Sequence, residues 1–159
     1  MARLLAVVSV AGLVLSSAAA HAADVVWTVS KKDGRAFLSG MPNESEVDYE
    51  FWAQCRADGA IDVGAAAESH VGKGGGEAVT LKLRSGLKST TLTGVSRHSA
   101  NFEMTGGVEI RAVVARTHPV FGVLGNGSKV TVSGPIKPAV WPTKGLKAKV
   151  TTFLKACGP

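Results

Sequence analysis

The sequence predicts a mainly β fold: a single antiparallel β-sandwich or small barrel with one C-terminal helix, preceded by a cleaved N-terminal signal helix. Three observations lead there. Residues 48–55 alternate apolar and polar side chains. Short β-prone segments then recur at regular intervals, separated by Gly and Ser. Near the end of the chain, apolar residues change to spacings of three and four.

The first element is an export signal. Arg3 supplies a positive start, Leu4 to Leu15 is an almost unbroken apolar run, and Ala20-His21-Ala22 is a small-x-small cleavage signature. The run is too short to span a bilayer comfortably. The division expected is a signal over 1–22 and one β-rich domain over 23–159. No later segment reads as a membrane span, so the mature chain is expected to have no transmembrane segment. The style of the signal is bacterial and points to a periplasmic or secreted protein.

The strands follow. Val25 to Ser30 and Ala36 to Leu38 flank a Lys31-Lys32-Asp33-Gly34 turn. In Asp48 to Cys55, Tyr49, Phe51, Ala53 and Cys55 fall on one face and Asp48, Glu50 and Gln54 on the other. This is the period-2 pattern of a half-buried strand. Trp52 interrupts its polar side and is read as covering an edge. Arg56 to Gly59 reads as a turn into a return strand, Ala60 to Val63. Ala78–Leu83, Lys88–Thr93, Asn101–Met104, Val108–Ala115 and Lys129–Ser133 continue the series. No βαβ rhythm, repeat or heptad is present.

The last element is a helix. Leu146, Val150, Phe153, Leu154 and Cys157 form one apolar stripe. Thr143 is expected to cap its start, Lys155 to favour its C-terminal end, and Gly158-Pro159 to end it. The chain holds two cysteines, Cys55 and Cys157. In an oxidising compartment they are expected to pair, stapling the helix onto the strand of Cys55. Free thiols or an intermolecular bond are the alternative. No CxxC supports redox chemistry, and two cysteines without a nearby histidine pair do not make a zinc site.

The net charge is +6, and loss of Arg3 with the signal lowers it by one. The basic residues read as scattered along a solubilising surface. Aromatics are few and do not alternate with basic residues, so nucleic acid is not an expected partner.

Candidate chemistry is sparse. Gly72-Lys73-Gly74-Gly75-Gly76 lacks the spacing and following helix of a phosphate loop and reads as a flexible hairpin loop. His70, His98 and His118 lie far apart, and a metal or catalytic role would need them to converge. Ser69 and His70 are adjacent, so on one strand they would point to opposite faces. Glu44, Glu46, Asp48 and Glu50 are read as the solvated side of a strand. The sequons at Asn43 and Asn126 matter only in a glycosylating source. GxSxG, HExxH and EF-hand patterns are absent, and no cofactor is expected. The least generic stretch is Arg116 to Phe121 with Leu124-Gly125-Asn126-Gly127. Arg116, His118 and Phe121 are the candidate ligand or partner loop. The alternative is a connector tucked against the sheet, with Phe121 and Leu124 as buried plugs.

Phe51-Trp52-Ala53-Gln54-Cys55, the turn into Ile61-Asp62-Val63, His118-Pro119-Val120-Phe121 with Leu124-Gly125-Asn126-Gly127, and the closing Phe153-Leu154-Lys155-Ala156-Cys157 resemble small secreted bacterial β-domains. The pattern is similar to invasion-associated IalB-like proteins and to accessory envelope proteins of type VI secretion. The resemblance covers about Tyr49 to Cys157 and brings no catalytic residue with it. It implies a periplasmic β-sandwich with an interaction or accessory role. The expected function is therefore a non-enzymatic binding or accessory protein of the bacterial envelope, contacting another envelope protein. The alternatives are an inhibitor of a hydrolase such as lysozyme, and a small hydrolase.

Overall fold

A computed structural model describes residues 24–43, 48–66 and 71–158. The expected signal over 1–22, Glu44, Glu46, Ser69 and His70 lie outside these residues. Nine strands form one antiparallel, nearly closed, barrel-like sheet: β1 (Val25–Lys32), β2 (Arg35–Pro42), β3 (Phe51–Cys55), β4 (Ile61–Ala65), β5 (Gly75–Ser85), β6 (Lys88–His98), β7 (Val108–Val114), β8 (Lys129–Ser133) and β9 (Ala139–Pro142). Their spatial order is β1-β2-β3-β4-β7-β6-β5-β8-β9. Among the described residues three helices accompany them: α1 (Phe102–Thr105), α2 (Pro119–Leu124) and α3 (Leu146–Ala156).

Local chemistry sets the turns. β1 and β2 meet at Asp33-Gly34, whose φ angles of 52° and 74° are both positive. Two such residues match the twist of a two-residue hairpin, and Asp and Gly tolerate that region best. The turn is therefore tighter than the four residues the sequence suggests. Along β5, Val79, Leu81 and Leu83 point inward between exposed Thr80, Lys82 and Arg84. β8 repeats this with Val130 and Val132. Alternation on the sheet thus follows the half-buried pattern.

The two sheet edges are joined by side chains. Trp27 on β1 donates from Nε1 to the Pro142 carbonyl on β9 at 2.7 Å. Its ring lies 6.1 Å from Phe51 and 6.4 Å from Trp141. Gly40 makes this possible, because a Cβ there would sit 2.6 Å from the Trp27 ring. Helix α2 packs on β5 and β6, and α3 packs on β1, β2 and α2. Phe121 and Phe153 meet at 6.0 Å between the two helices. The buried apolar residues form one cluster spanning sheet and helices. Each large side chain in it contributes about 1.5 to 3 kcal/mol by leaving water.

Several expectations are corrected. Residues 101–104 are not a strand. They form the short helix α1, which ends at Gly106 with φ +67° and its N–H on the Phe102 carbonyl. A left-handed glycine is a strong helix stop. The connector after His118 is tucked against the sheet, with Phe121 and Leu124 buried, and takes the form of the helix α2 with Pro119 in its first turn. Ala139–Pro142 is a strand that the sequence did not signal. Thr143 does not cap α3. Its hydroxyl donates to the Gly127 carbonyl at 2.9 Å, and the N-cap is Gly145 at φ +73°.

Glu50 is the largest departure. It is 6 % exposed and turned inward, where its carboxylate accepts the Trp141 indole N–H at 2.9 Å. A buried indole needs an acceptor, and this requirement overrides the alternation. Tyr49 correspondingly leaves the inner face.

Cys55 and Cys157 are bonded, with Cα atoms 5.4 Å apart. Cys55 is the last residue of β3 and is buried. Cys157 is half-buried, is the C-cap residue of α3, and packs against the core at the end of the helix's apolar stripe. The bond spans 102 positions and ties a segment near the C-terminus to the sheet. A loop of that length stabilises by about 2 to 5 kcal/mol when closed, mainly by restricting the unfolded chain. Cys157→Ser, or reduction of the bond, should lower the melting temperature accordingly. Thermal melts with and without reductant measure this, and coincident curves would refute the staple.

Candidate functional site

The outer face of the sheet carries an aromatic recess. Ser39, Trp52, Gly64 and Arg111 lie in one row across β2, β3, β4 and β7. Gly64 is the decisive member, because any Cβ there would collide with the Trp52 indole. A glycine inside a strand often marks such a close approach. The indole lies over β4 and reaches Glu109 on β7, donating from Nε1 to Oε2 at 2.8 Å. Arg111 sits two residues further along the same face and donates from Nε to Oε1 at 2.6 Å. Its guanidinium also stands 5.1 Å from the Trp52 ring centroid.

Phe37 and Tyr49 extend the apolar surface. Phe37 stacks on Trp52 at 6.1 Å, and Tyr49 meets Phe37 edge-on at 5.7 Å. The Lys32 ammonium lies 5.3 Å from the Phe37 centroid. These side chains surround a cavity of about 140 Å³, which Asp48, Gln54 and Asn101 border.

Glu109 holds the arrangement. Its side chain is 2 % exposed although it points to the outside of the barrel. Burial pushes its carboxyl above the usual range, while the Trp52 bond, the Arg111 charge and Lys32 pull in the other direction. The Arg111 side chain is 41 % exposed, so it faces Glu109 on one side and solvent on the other.

A basic shelf adjoins the recess. Arg97, His98 and Arg111 line it together with Gly74, Ser99 and Ala100. Arg111, Ser99 and Ala100 belong to both hollows. No acidic residue lines the shelf. His98 is stacked on Phe102, centroids 3.6 Å apart and planes within 3°. The Ser99 hydroxyl in the shared wall is buried and has no hydrogen-bond partner among the described residues.

The sequence-derived candidates are used differently. Arg116 donates from Nη2 to the Leu154 carbonyl at 2.9 Å, tying the β7–α2 turn to α3. His118 accepts the Val120 N–H at Nδ1 and so caps α2, and its partial burial lowers its pKa. Phe121 is 3 % exposed and is a core plug beside Phe153, as Leu124 is. Each of the three thus has a tethering, capping or packing role in the fold. His98 lies on β6 and His118 before α2, while His70 falls outside the described residues. Among the described residues no group of three or more His, Cys, Asp and Glu is placed to hold a metal ion. The Gly72–Gly76 loop turns its donors on its own chain. Lys73 N and Gly75 N bond the Glu77 carboxylate, and Gly74 N bonds the Ser96 hydroxyl at 2.8 Å.

The sequence reading missed the recess. Two signals pointed to it: Trp52 on the polar side of its strand and Gly64 within a strand. Neither reveals Glu109, which only the register brings within reach.

Two outcomes are expected. Glu109 has a folded pKa above its unfolded value, so the protonated form is the one folding favours. Its contribution to stability is greatest below the unfolded pKa and declines as pH rises through the window up to the folded value. Trp52 fluorescence should follow that titration, above the ordinary glutamate range. Glu109→Gln should abolish the step, and a step surviving in the variant would assign it elsewhere. Gly64→Ala should displace the indole from Glu109 and cost about 1 to 3 kcal/mol by overpacking. Denaturant melts would show this, and wild-type stability with unshifted Trp52 emission would contradict the geometry.

No protein-family model matches the chain, and neither a curated protein nor a solved structure matches it.

Proposed function

We propose that the protein is an extracytoplasmic, non-enzymatic binding module of a bacterial envelope, and that the outer recess takes a small ring-bearing anion. The observation that carries this reading is the buried Glu109 on the outside of the barrel. It fixes Trp52 and Arg111 side by side, so an apolar platform and a cation are presented together without reorganisation. Pockets with apolar walls and a few convergent polar groups are the usual form of ligand sites.

Size and charge narrow the ligand. A cavity of about 150 Å³ accepts benzene, so the 140 Å³ recess suits one six-membered ring. Aromatic and sugar rings both offer a flat apolar face to Phe37 and Trp52. The attached anion would lie on the shelf of Arg97, His98 and Arg111, with the Ser99 hydroxyl as a donor within reach of the junction. The paired cysteines favour an oxidising compartment, and the resemblance to IalB-like envelope domains points the same way.

Titration with phenyl phosphate and with glucuronate tests the proposal, read by Trp52 fluorescence and thermal shift. Inorganic phosphate and phenol are the controls. A ring-bearing anion should raise the melting temperature where neither control does, with the preferred ring separating an aromatic from a sugar source. Trp52→Leu and Arg97→Glu should each weaken binding about tenfold or more, the loss of one stacking platform or one charge-assisted contact. Equal response to inorganic phosphate alone, or affinity unchanged in both variants, would overturn it.

A further inference from the structure

A second surface lies further round the outer face of the sheet, at the β5–β6 hairpin. Leu87 is the most exposed large apolar side chain among the described residues, at 102 %. It occupies the second position of the two-residue loop Gly86-Leu87, and Gly86 has φ +56°. This loop is firmly held. Ser85 is 2 % exposed, and its hydroxyl bonds the Asn126 and Lys129 carbonyls. The Asn126 amide in turn donates to the Ser85 carbonyl at 2.7 Å. The hairpin end is therefore anchored to the turn before β8, and Leu87 projects from a fixed base.

Cations lie beside it. Lys88 follows directly in the chain. Lys82 and Arg84 on β5 and Lys129 on β8 line one shallow hollow with Thr131 and Ser133. No acid opposes them. Residues 78–102 contain no Asp or Glu, and neither does the chain from 110 to its end. The hollow lined by Lys82, Arg84 and Lys129 accordingly has no acidic wall.

We infer that this hairpin docks the protein onto an anionic lipid surface. Four cations attract the headgroups, as clusters of this size do on anionic leaflets. Leu87 enters the headgroup and acyl boundary, where an apolar side chain is favoured. A single exposed apolar residue is ordinary on its own. Here it stands at a braced tip beside a basic hollow with no acidic lining, and that combination fits a bilayer. A soluble polyanion would use the cations and gain nothing from the leucine, and the face offers no aromatic ring on which bases could stack. None of these residues lines the recess of Trp52 and Glu109, so the inference is independent of the ligand proposed there.

The test uses the disulfide-bonded mature chain in co-sedimentation with vesicles. One set is phosphatidylcholine alone, and the other contains roughly a third phosphatidylglycerol. Binding should require the anionic lipid and fall with added salt. Leu87→Ser should weaken it about tenfold, the scale expected for one small apolar insertion. Lys82→Glu with Arg84→Glu should abolish it. All these positions are exposed, and unchanged melting curves verify that the variants fold. Heparin serves as a soluble polyanion. Lipid binding that is sensitive to both sets of substitutions supports the inference. Equal binding to neutral vesicles, affinity indifferent to Leu87→Ser, tighter capture by heparin than by anionic vesicles, or no vesicle binding at all would each overturn it.

Discussion

Closure of the sheet depends on Trp27. An open nine-stranded sheet would leave β1 and β9 as unpaired edges, a liability that proteins normally cover. Trp27 joins these edges through one hydrogen bond to Pro142 and through ring contacts with Phe51 and Trp141. Its own carbonyl accepts the Lys149 ammonium, which adds α3 to the same joint. One residue therefore couples the first strand, the third, the last, and the terminal helix. The disulfide reinforces this joint from the opposite end of α3.

The structure uses one chemical device twice. Inside, Trp141 donates to Glu50. Outside, Trp52 donates to Glu109. In both cases an indole N–H and a carboxylate satisfy one another away from water. The surroundings then separate their roles. Glu50 lies among the core aromatics and fixes β9 against the bend before β3. Glu109 also holds Arg111, whose outer side remains in solvent. A buried charge that is paired on one side and leads to an exposed cation on the other is an expensive arrangement to keep for packing alone. That cost is the physical argument behind the binding proposed at the recess.

The two proposed surfaces divide the barrel. The recess belongs to β2, β3 and β7, with its shelf at the end of β6, and the cationic hairpin to β5, the start of β6 and β8. The chain order would have placed β5 beside β4. Instead β7 takes that position, and the β5–β6 hairpin turns outward to pair with β8. This exchange gathers the basic strands on one side and brings Glu109 and Arg111 next to Trp52. The same topological step thus creates both surfaces.

Much of this was legible in the residues. Alternation in β5, β7 and β8 reflects a sheet with one dry face, and period-2 patterning records that directly. Asp33-Gly34 fixes the first hairpin because few residues tolerate its two positive φ angles. The 3–4 spacing of Leu146, Val150 and Phe153 encodes α3, and the paired cysteines follow from their number and the expected compartment. Other features depend on contacts distant in sequence. Glu50 turns inward because of Trp141, 91 positions away, and Phe121 is a plug because α3 returns to meet it. The recess exists because strand register sets Trp52, Gly64 and Arg111 in line. Local pattern determines which residues avoid water, but only the tertiary structure decides which of them meet, since that depends on pairing order and register that no short segment contains.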